Sequence, residues 1–237
     1  MPPQPASPRY LLLFNAHQIV QIVDDATTAF LTGPDIAGGL KILTSEANDL
    51  TVLCRDGVII GVGRVGELMS LLQEVPDGHT ARDLERVDCK GGCILPGLVD
   101  AHTHPIFAGD RCHEFAAKLA GATYMDIQKM GGGIHFTAEH THRASEEELI
   151  SLFGPTAEEM LHSGTTTIEA KSGYGLDEEC ELKLLRVLDR LNRQRPLEIS
   201  ATFCGAHAIP KGKSEEEQAG MIVERLIPVL GRMKQEE

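Results

Sequence analysis

The first ninety residues alternate short aliphatic runs with polar turns, a pattern typical of β structure. LLLFNAHQIV and LTVLCRDGVIIGVG are the clearest runs, and Asp56-Gly57 divides the second as a hairpin turn would. Between them, residues 27–49 are rich in Gly, Thr and Asp and are predicted to form a long connection without assigned structure. The pattern predicts a small β unit, similar to a β-sandwich, over residues 1–92.

From residue 93 onward the pattern changes to strands that alternate with helices. CILPGLVDAHTH is predicted to be a buried strand because of its aliphatic run, and SEEELISLFGPTAEEMLHSG an amphipathic helix with Ser145 as its N-cap. TTTIEAKSGYG and EISATFCGAHAIP are the next strands, and each is followed by a helical segment, the last one interrupted or kinked near Pro228. This alternation indicates an α/β protein with a parallel sheet.

The α/β part is too short for a closed barrel. A (β/α)₈ barrel takes about 250 residues, whereas residues 93–237 offer about 145, enough for about three βα units. We therefore expect the first part of a TIM barrel with an open strand edge that something else must cover. On this expectation the chain is a truncated form.

The charge of the chain bears on its partners. A formal net charge of −13 and the lack of a Lys/Arg stripe argue against nucleic acid, which requires a basic face. There is no apolar run of about 18 residues and no signal-peptide layout. We therefore expect a cytoplasmic location and no membrane association. Because a negative surface repels small anions, an anionic substrate would need a local cation.

Six scattered cysteines lack the dense spacing of a disulfide scaffold, so we expect reduced thiols. Cys89 and Cys93 have the spacing of a zinc pair. No second Cys/His pair follows at zinc-finger distance, so a structural zinc is not expected there.

A histidine pair ends the first strand of the α/β part, and in parallel α/β barrels the site lies at such strand ends. His102 and His104 are two residues apart on a strand, so they point to the same face and can share one divalent metal. His140 and His142 have the same spacing, but they lie in a polar stretch before Ser145. We interpret them as solvated surface residues.

Four segments between residues 95 and 212 resemble known proteins. PGLVDAHTH resembles the first metal motif of the amidohydrolase superfamily, whose preceding β unit is similar to residues 10–90. FAGDRCHEFAAKLAGATY, EAKSGYGL and FCGAHAIP resemble the imidazolonepropionases of histidine degradation. The resemblance implies an amidohydrolase-type TIM barrel with one metal, zinc or iron. It also implies hydrolysis of 4-imidazolone-5-propanoate to N-formimidoyl-L-glutamate.

Arg111 lies seven residues after His104, in the loop that leaves the first strand. Its guanidinium can hold a carboxylate through two hydrogen bonds and so supplies the local cation that an acidic chain needs. The resemblance implies that it binds the propionate of the substrate. The alternative is a surface ion pair with Glu114.

Tyr174 and His207 follow the second and third strands. The glycines beside Tyr174 let the backbone approach a ligand, and its phenol can hydrogen-bond a ring carbonyl, although it could simply pack on the strand ends. His207 lies in an apolar setting where a lone histidine can be a core residue. The resemblance implies that both contact the substrate and that His207 is catalytic, by polarising the scissile carbonyl.

Two further features carry weaker signals. Glu169 and Lys171 share one strand face, where some amidohydrolases carry a carbamylated lysine between two metals; we expect an ion pair instead. The run Gly131-Gly132-Gly133 is interpreted as a mobile loop over the site mouth, since no helix was assigned after it.

Two histidines leave a metal ion mostly coordinated by water, because catalytic zinc sites usually have three protein ligands. The family's other ligands and its general base come from later strands, so weak metal binding and low activity are expected of this chain. Two alternatives stay open. One is a deaminase of the same superfamily, for which Arg111 would have no carboxylate to bind. The other is a non-catalytic form that pairs with intact subunits, and a homo-oligomer is a further possibility.

Overall fold

The computed structural model describes residues 9–22, 33–68, 70–71 and 84–233. The chain divides into two compact units, Met1–Pro96 and Gly97–Glu237. None of the described helices is long and apolar enough to cross a membrane.

The first unit is built from short strands in two sheets. Its elements are β1 (Tyr10–Ala16), β2 (Gln18–Gln21), α1 (Asp35–Gly39), β3 (Lys41–Thr44), β4 (Leu50–Arg55), β5 (Val58–Arg64), a 3₁₀ turn (Val65–Leu68), β6 (Leu84–Asp88) and β7 (Cys93–Ile94). One sheet has the order β5-β4-β1-β6 and the other β3-β2-β7. The predicted hairpin is confirmed: β4 and β5 are antiparallel, and both turn residues, Asp56 and Gly57, have positive φ.

The predicted connection over residues 27–49 contains more structure than the sequence indicated. Residues 27–32 lie outside the described residues, but α1 and β3 follow them, and β3 pairs with β2. The core of this unit is formed by apolar side chains of β1, β2 and β4: Ala16, Ile19, Leu50 and Val52.

The second unit contains the predicted parallel sheet. Its elements are β8 (Leu98–Thr103), α2 (Cys112–Leu119), α3 (Tyr124–Lys129), α4 (Ile134–Arg143), α5 (Glu146–His162), β9 (Thr165–Lys171), α6 (Glu178–Gln194), β10 (Glu198–Thr202), α7 (Glu215–Gly220), a π-helical turn (Met221–Leu226) and α8 (Ile227–Met233). The three strands have the order β10-β9-β8 and pair in parallel. The described residues thus form three successive βα units and no closed barrel.

Local sequence signals explain where these helices begin. The predicted N-cap is confirmed, because the side chain of Ser145 accepts a hydrogen bond from Glu148 N at the start of α5. Ser214 and Glu217 form a capping box at the start of α7. The predicted interruption near Pro228 is also confirmed: the π-helical turn ends two residues before this proline, which has no N–H to donate.

The core of the second unit lies between β9 and the helices α5 and α6. Ile168 and Ala170 of β9 are fully buried, since β9 is the central strand of the sheet. They pack with apolar residues of the two helices and of β10: Leu149, Phe153, Ala157, Leu184, Val187, Leu188, Leu191 and Ile199.

Residues 93–104 differ from the prediction of one buried strand. The segment is divided at Leu95-Pro96-Gly97, so Cys93 and Ile94 pair with β2 in the first unit and β8 begins at Leu98. The prediction of burial was wrong: Leu98 is 57% exposed and Val99 is 65% exposed. The reason is that β8 is an edge strand of the described sheet, so one side of it has no neighbouring strand there.

Candidate metal and substrate site

Four of the five predicted site residues come together where β8, β9 and β10 end. The ring centroids of His102 and His104 are 5.6 Å apart. His104 stacks on His207 with centroids 4.4 Å apart, and Tyr174 lies 5.7 Å from His104 and 5.4 Å from His207. The loops that follow three neighbouring parallel strands therefore place three imidazoles and a phenol in one cluster.

Backbone carbonyls orient two of these imidazoles. His104 Nδ1 lies 3.2 Å from Ser172 O, and His207 Nδ1 lies 3.1 Å from Gly173 O. Because a carbonyl oxygen only accepts, Nδ1 must carry the proton in both rings, which leaves each Nε2 with a free lone pair. This arrangement is the one that metal-binding histidines generally show.

The surroundings of His104 favour its neutral form. Burial lowers its pKa below the usual range of histidine, and the nearby His207 lowers it further, while the hydrogen bond to Ser172 acts in the opposite direction. A neutral imidazole is the form that binds a metal.

The donors fit part of a metal shell. His102 and His104 present imidazoles at one strand end, which suits zinc or iron. Within residues 9–22, 33–68, 70–71 and 84–233, no group of three or more His, Cys, Asp or Glu side chains is arranged to hold an ion. The metal role of His102 and His104 therefore stays a prediction of the sequence.

Arg111 forms the ion pair with Glu114 that the sequence left as an alternative. Its Nη2 donates to Glu114 Oε2 at 2.6 Å, and Glu114 Oε1 accepts from Gly133 N at 2.8 Å. This bond lowers the pKa of the Glu114 carboxyl and raises that of the guanidinium, so both stay charged. Arg111 Nε is buried and has no hydrogen-bond partner among the described residues.

Arg111 and Tyr174 line one cavity of about 290 Å³. Lys118, which the sequence analysis did not single out, gives this cavity a second cation. The aromatic wall includes Phe107, whose ring centroid is 6.0 Å from that of Tyr174. The remaining lining residues are Gly109, Glu114, Phe115 and Thr137.

Lys171 and Glu169 form the ion pair that the sequence predicted. Their side chains are each 20% exposed, and the bond from Lys171 is the main cause that lowers the pKa of Glu169. A carbamylated lysine would have to give up this partner.

The glycine run 131–133 is followed by a helix, contrary to the sequence interpretation. Gly133 is the N-cap of α4, and its N–H is bound by Glu114. The same carboxylate thus connects this loop to Arg111. No pattern along the chain indicated α4, because three consecutive glycines and three histidines are weak helix formers.

Two buried polar residues beneath the site escaped the sequence analysis. Glu181 of α6 is fully buried and Gln218 of α7 is 4% exposed. Glu181 accepts hydrogen bonds from the loop that carries Tyr174, and Gln218 donates both to that loop and to the loop that carries His207. In the sequence they belong to acidic, amphipathic stretches, where charged residues are normally solvated.

Curated relatives carry the name of the family that the sequence motifs resemble. The chain is 50% identical over 220 residues to a "Probable imidazolonepropionase" of Mus musculus, which covers 93% of the chain and 49% of that protein. A Homo sapiens protein of the same name is 47% identical over 95% of the chain and 50% of its own length. The chain spans about half the length of the curated relatives it matches. No protein-family model matches the chain.

Two solved structures show a weak similarity to the chain. N-isopropylammelide isopropylaminohydrolase from Burkholderia multivorans has a TM-score of 0.45 and 16% identity, over 93% of the chain and 43% of its own. Guanine deaminase from C. acetobutylicum has a TM-score of 0.38 and 14% identity, over 82% of the chain and 36% of its own.

Proposed function

We propose that this chain supplies two metal ligands and the substrate clamp of an imidazolonepropionase. The reaction is hydrolysis of a ring C–N bond of 4-imidazolone-5-propanoate to give N-formimidoyl-L-glutamate. The observation that carries the proposal is the cluster of His102, His104, Tyr174 and His207 beside a cavity that contains Arg111. The name of the curated relatives supports this choice of reaction.

One divalent ion, zinc or iron, is the proposed cofactor, held by His102 and His104. When bound, it supplies the Lewis acidity that activates water at neutral pH. The two histidines give it at most half of a tetrahedral shell, so its other ligands are water or groups outside the described residues.

Arg111 is proposed to bind the propionate of the substrate. Glu114 occupies Nη2 and fixes the plane of the guanidinium, while the buried Nε still lacks an acceptor. A carboxylate in the cavity would satisfy this donor, and Lys118 would add attraction for an anion. This local positive charge opposes the repulsion expected from a chain with a net charge of −13.

Tyr174 and His207 are proposed to contact the imidazolone ring. The phenol of Tyr174 can donate to a ring carbonyl. His207, whose Nδ1–H points to Gly173 O, accepts a ring N–H at Nε2 when neutral and donates to the carbonyl oxygen when protonated. In the protonated form it stabilises negative charge on that oxygen in the transition state. All six described cysteines are free, which suits the proposed cytoplasmic location.

Ligand binding by the full chain tests the proposed role of Arg111 in binding the carboxylate, and it does not require turnover. Calorimetry compares imidazole-4-propionate with 4-methylimidazole, which lacks the carboxylate. We expect the carboxylate to improve affinity about 10- to 100-fold, since a charge-assisted hydrogen bond contributes about 1.5–3 kcal/mol. Arg111→Lys should lose most of this preference, and Arg143→Lys, a change at an exposed arginine paired with Glu139, should keep it.

Turnover distinguishes the proposal from a deaminase. The chain is supplied with Zn²⁺ or Fe²⁺, and loss of 4-imidazolone-5-propanoate is compared with loss of guanine and of adenine. We expect any metal-dependent turnover to be hydrolysis of the imidazolone and to be lost in His102→Asn. Turnover of a purine, or equal affinity for the two imidazoles, would overturn the proposal.

A further inference from the structure

The loop that carries Tyr174 is wrapped around a buried carboxylate. Glu181 Oε2 accepts from Gly173 N at 3.1 Å, and Glu181 Oε1 accepts from Gly175 N at 2.8 Å and Leu176 N at 2.9 Å. A fully buried carboxylate persists only if hydrogen bonds replace its hydration, and here three backbone donors do so. The backbone on both sides of Tyr174 is thus held from below by one side chain.

Gly173 and Gly175 are required in this loop because its backbone passes very close to neighbouring atoms. Gly173 has φ +112°, and a Cβ there would lie 2.9 Å from His207 Nδ1 and 3.0 Å from Cys204 O. A Cβ at Gly175 would collide with the backbone of Cys180 and Glu181. The loop therefore approaches both α6 and the His207 loop at backbone distance, closer than any side chain would allow.

A second buried side chain connects this loop to the next one. Gln218 Nε2 donates to Leu176 O at 3.1 Å and to Gly205 O at 3.0 Å. Both acceptors are carbonyl oxygens, so the NH₂ group of the amide must face them, and both of its hydrogens are used. Leu176 lies two residues after Tyr174, and Gly205 lies two residues before His207. Gln218 thus sets the spacing between the two proposed substrate residues.

We propose that Glu181 and Gln218 are positioning residues, which hold the Tyr174 phenol and the His207 imidazole at the spacing that recognises the substrate ring. The hydrogen bonds of both side chains described above go to backbone groups of the loops, so both residues act through the backbone. The inference rests on the proposed function for the identity of the ligand, but the arrangement of the rings can be measured without any ligand.

The test uses two folded variants of the full chain, each with a matched control. Glu181→Gln keeps the shape but turns one acceptor into an NH₂ group that faces N–H donors, and Glu179→Gln makes the same change at an exposed position of α6. Gln218→Glu replaces the donor with an acceptor that faces two carbonyls, and Gln194→Glu is its exposed control. Circular dichroism and urea unfolding establish which variants fold.

The first readout is the nuclear magnetic resonance spectrum without ligand. We expect Glu181→Gln and Gln218→Glu to shift the ring protons of Tyr174 and the imidazole nitrogens of His207, because aromatic rings with centroids 5.4 Å apart respond to small changes in their spacing. The two controls should match the wild type. Unchanged ring signals in a folded Glu181→Gln or Gln218→Glu chain would overturn the proposal.

The second readout separates this proposal from the proposed function. Affinity for imidazole-4-propionate should fall about tenfold or more in both variants, while Zn²⁺ affinity should stay within about threefold, since His102 lies on β8 and His104 directly follows it. A wild-type chain that does not bind imidazole-4-propionate would contradict the proposed function, and the ring signals would still decide the positioning role. If neither variant folds, Gln218→Met, an apolar side chain of similar length, decides by the same two readouts.

Discussion

The chain contains the tripeptide His-Thr-His twice, at residues 102–104 and at residues 140–142. The two copies lie in different types of secondary structure. The first copy ends the strand β8, and its rings lie 5.6 Å apart. The second copy lies on the helix α4. Residues two apart share a face on a strand but not on a helix. The same three residues therefore form a candidate metal pair in one place and not in the other.

In the helical copy the two rings have separate partners. His140 packs on Phe136 with ring centroids 4.0 Å apart, and its Nδ1 lies 2.9 Å from Phe136 O. His142 Nε2 lies 2.7 Å from Asp177 Oδ2, and its side chain is 50% exposed. The sequence interpretation of a solvated surface fits His142, whereas His140 is half-buried.

The threonine between the histidines makes a structural hydrogen bond in both copies. Thr103 Oγ1 donates to Glu169 O at 2.7 Å and joins β8 to β9. Thr141 Oγ1 is fully buried and accepts from Ala108 N at 3.0 Å. The comparison teaches that backbone period decides which residues of a short motif meet, and that the motif by itself does not.

The largest expected effect concerns metal affinity. His102→Asn/His104→Asn should weaken Zn²⁺ binding at least about 100-fold, because the change removes both of the proposed ligands. His140→Asn/His142→Asn should stay within about twofold of the wild type. Competition against a chelating dye measures both. An equal loss in the two double variants would show that the strand copy has no special role.

The helical copy can be disturbed without touching the strand copy. Lys183 Nζ donates to Thr141 O, His142 O and Ala144 O at 2.8–2.9 Å, and so caps the C-terminal end of α4. Lys183→Met should lower the free energy of unfolding by about 1–3 kcal/mol, since it leaves these carbonyls without a partner. Urea unfolding measures the loss, with the exposed Lys129→Met as control. Zn²⁺ affinity should not change, and a parallel drop would contradict the separation of the two copies.

The two threonines should differ by a smaller amount. Thr141→Val leaves the buried N–H of Ala108 unsatisfied and should cost about 1–2 kcal/mol of unfolding free energy. Thr103→Val removes a donor from a half-buried carbonyl and should cost about 0.5–1 kcal/mol. Urea unfolding of the two variants in one buffer measures the difference. A larger loss for Thr103→Val would reverse our ranking of the two sites.

A further effect, which is absent below pH 9, is expected beneath the helical copy. Asp177, the partner of His142, also accepts from Cys180 N, and burial raises the pKa of the Cys180 thiol from 9.0 to about 11. Below pH 9 the thiol is neutral in both the folded and the unfolded chain, so its contribution to stability is fully present. Between pH 9 and about 11 only the unfolded chain ionises, so stability is lost as the pH rises.

Two measurements check this dependence. Urea unfolding from pH 8 to 11 should show a steeper loss for the wild type than for Cys180→Ala. Alkylation at pH 9, followed by mass spectrometry, should modify the exposed Cys93 well before Cys180. Equal rates at the two cysteines would show that Cys180 is not protected.

Local patterns predicted the regular elements well, and they failed where the reason for the structure is not local. The aliphatic runs, the Asp56-Gly57 turn and the Ser145 cap were sufficient for β4, β5 and α5, because each depends on neighbours in sequence. The exposure of β8 could not be read from its aliphatic residues, because it depends on which strands lie beside it.

The candidate site shows the same division. The strand period placed His102 and His104 on one side, and the motifs directed attention to Arg111, Tyr174 and His207. Glu114 was considered only as an alternative partner of Arg111, and its bond to Gly133 N connects residues 19 apart. No pattern in one sequence reports such a bond.

The sequence by itself determined the β unit, the alternation of strands and helices, and the histidine pair at a strand end, since these follow from turn chemistry and from periods of 2 and 3.6 residues. Only the tertiary structure decided that Glu181 and Gln218 are buried beneath the Tyr174 and His207 loops. The physical reason is that a buried polar side chain is tolerated where backbone donors and acceptors converge on it, and residues far apart in sequence supply those groups only once the chain has folded.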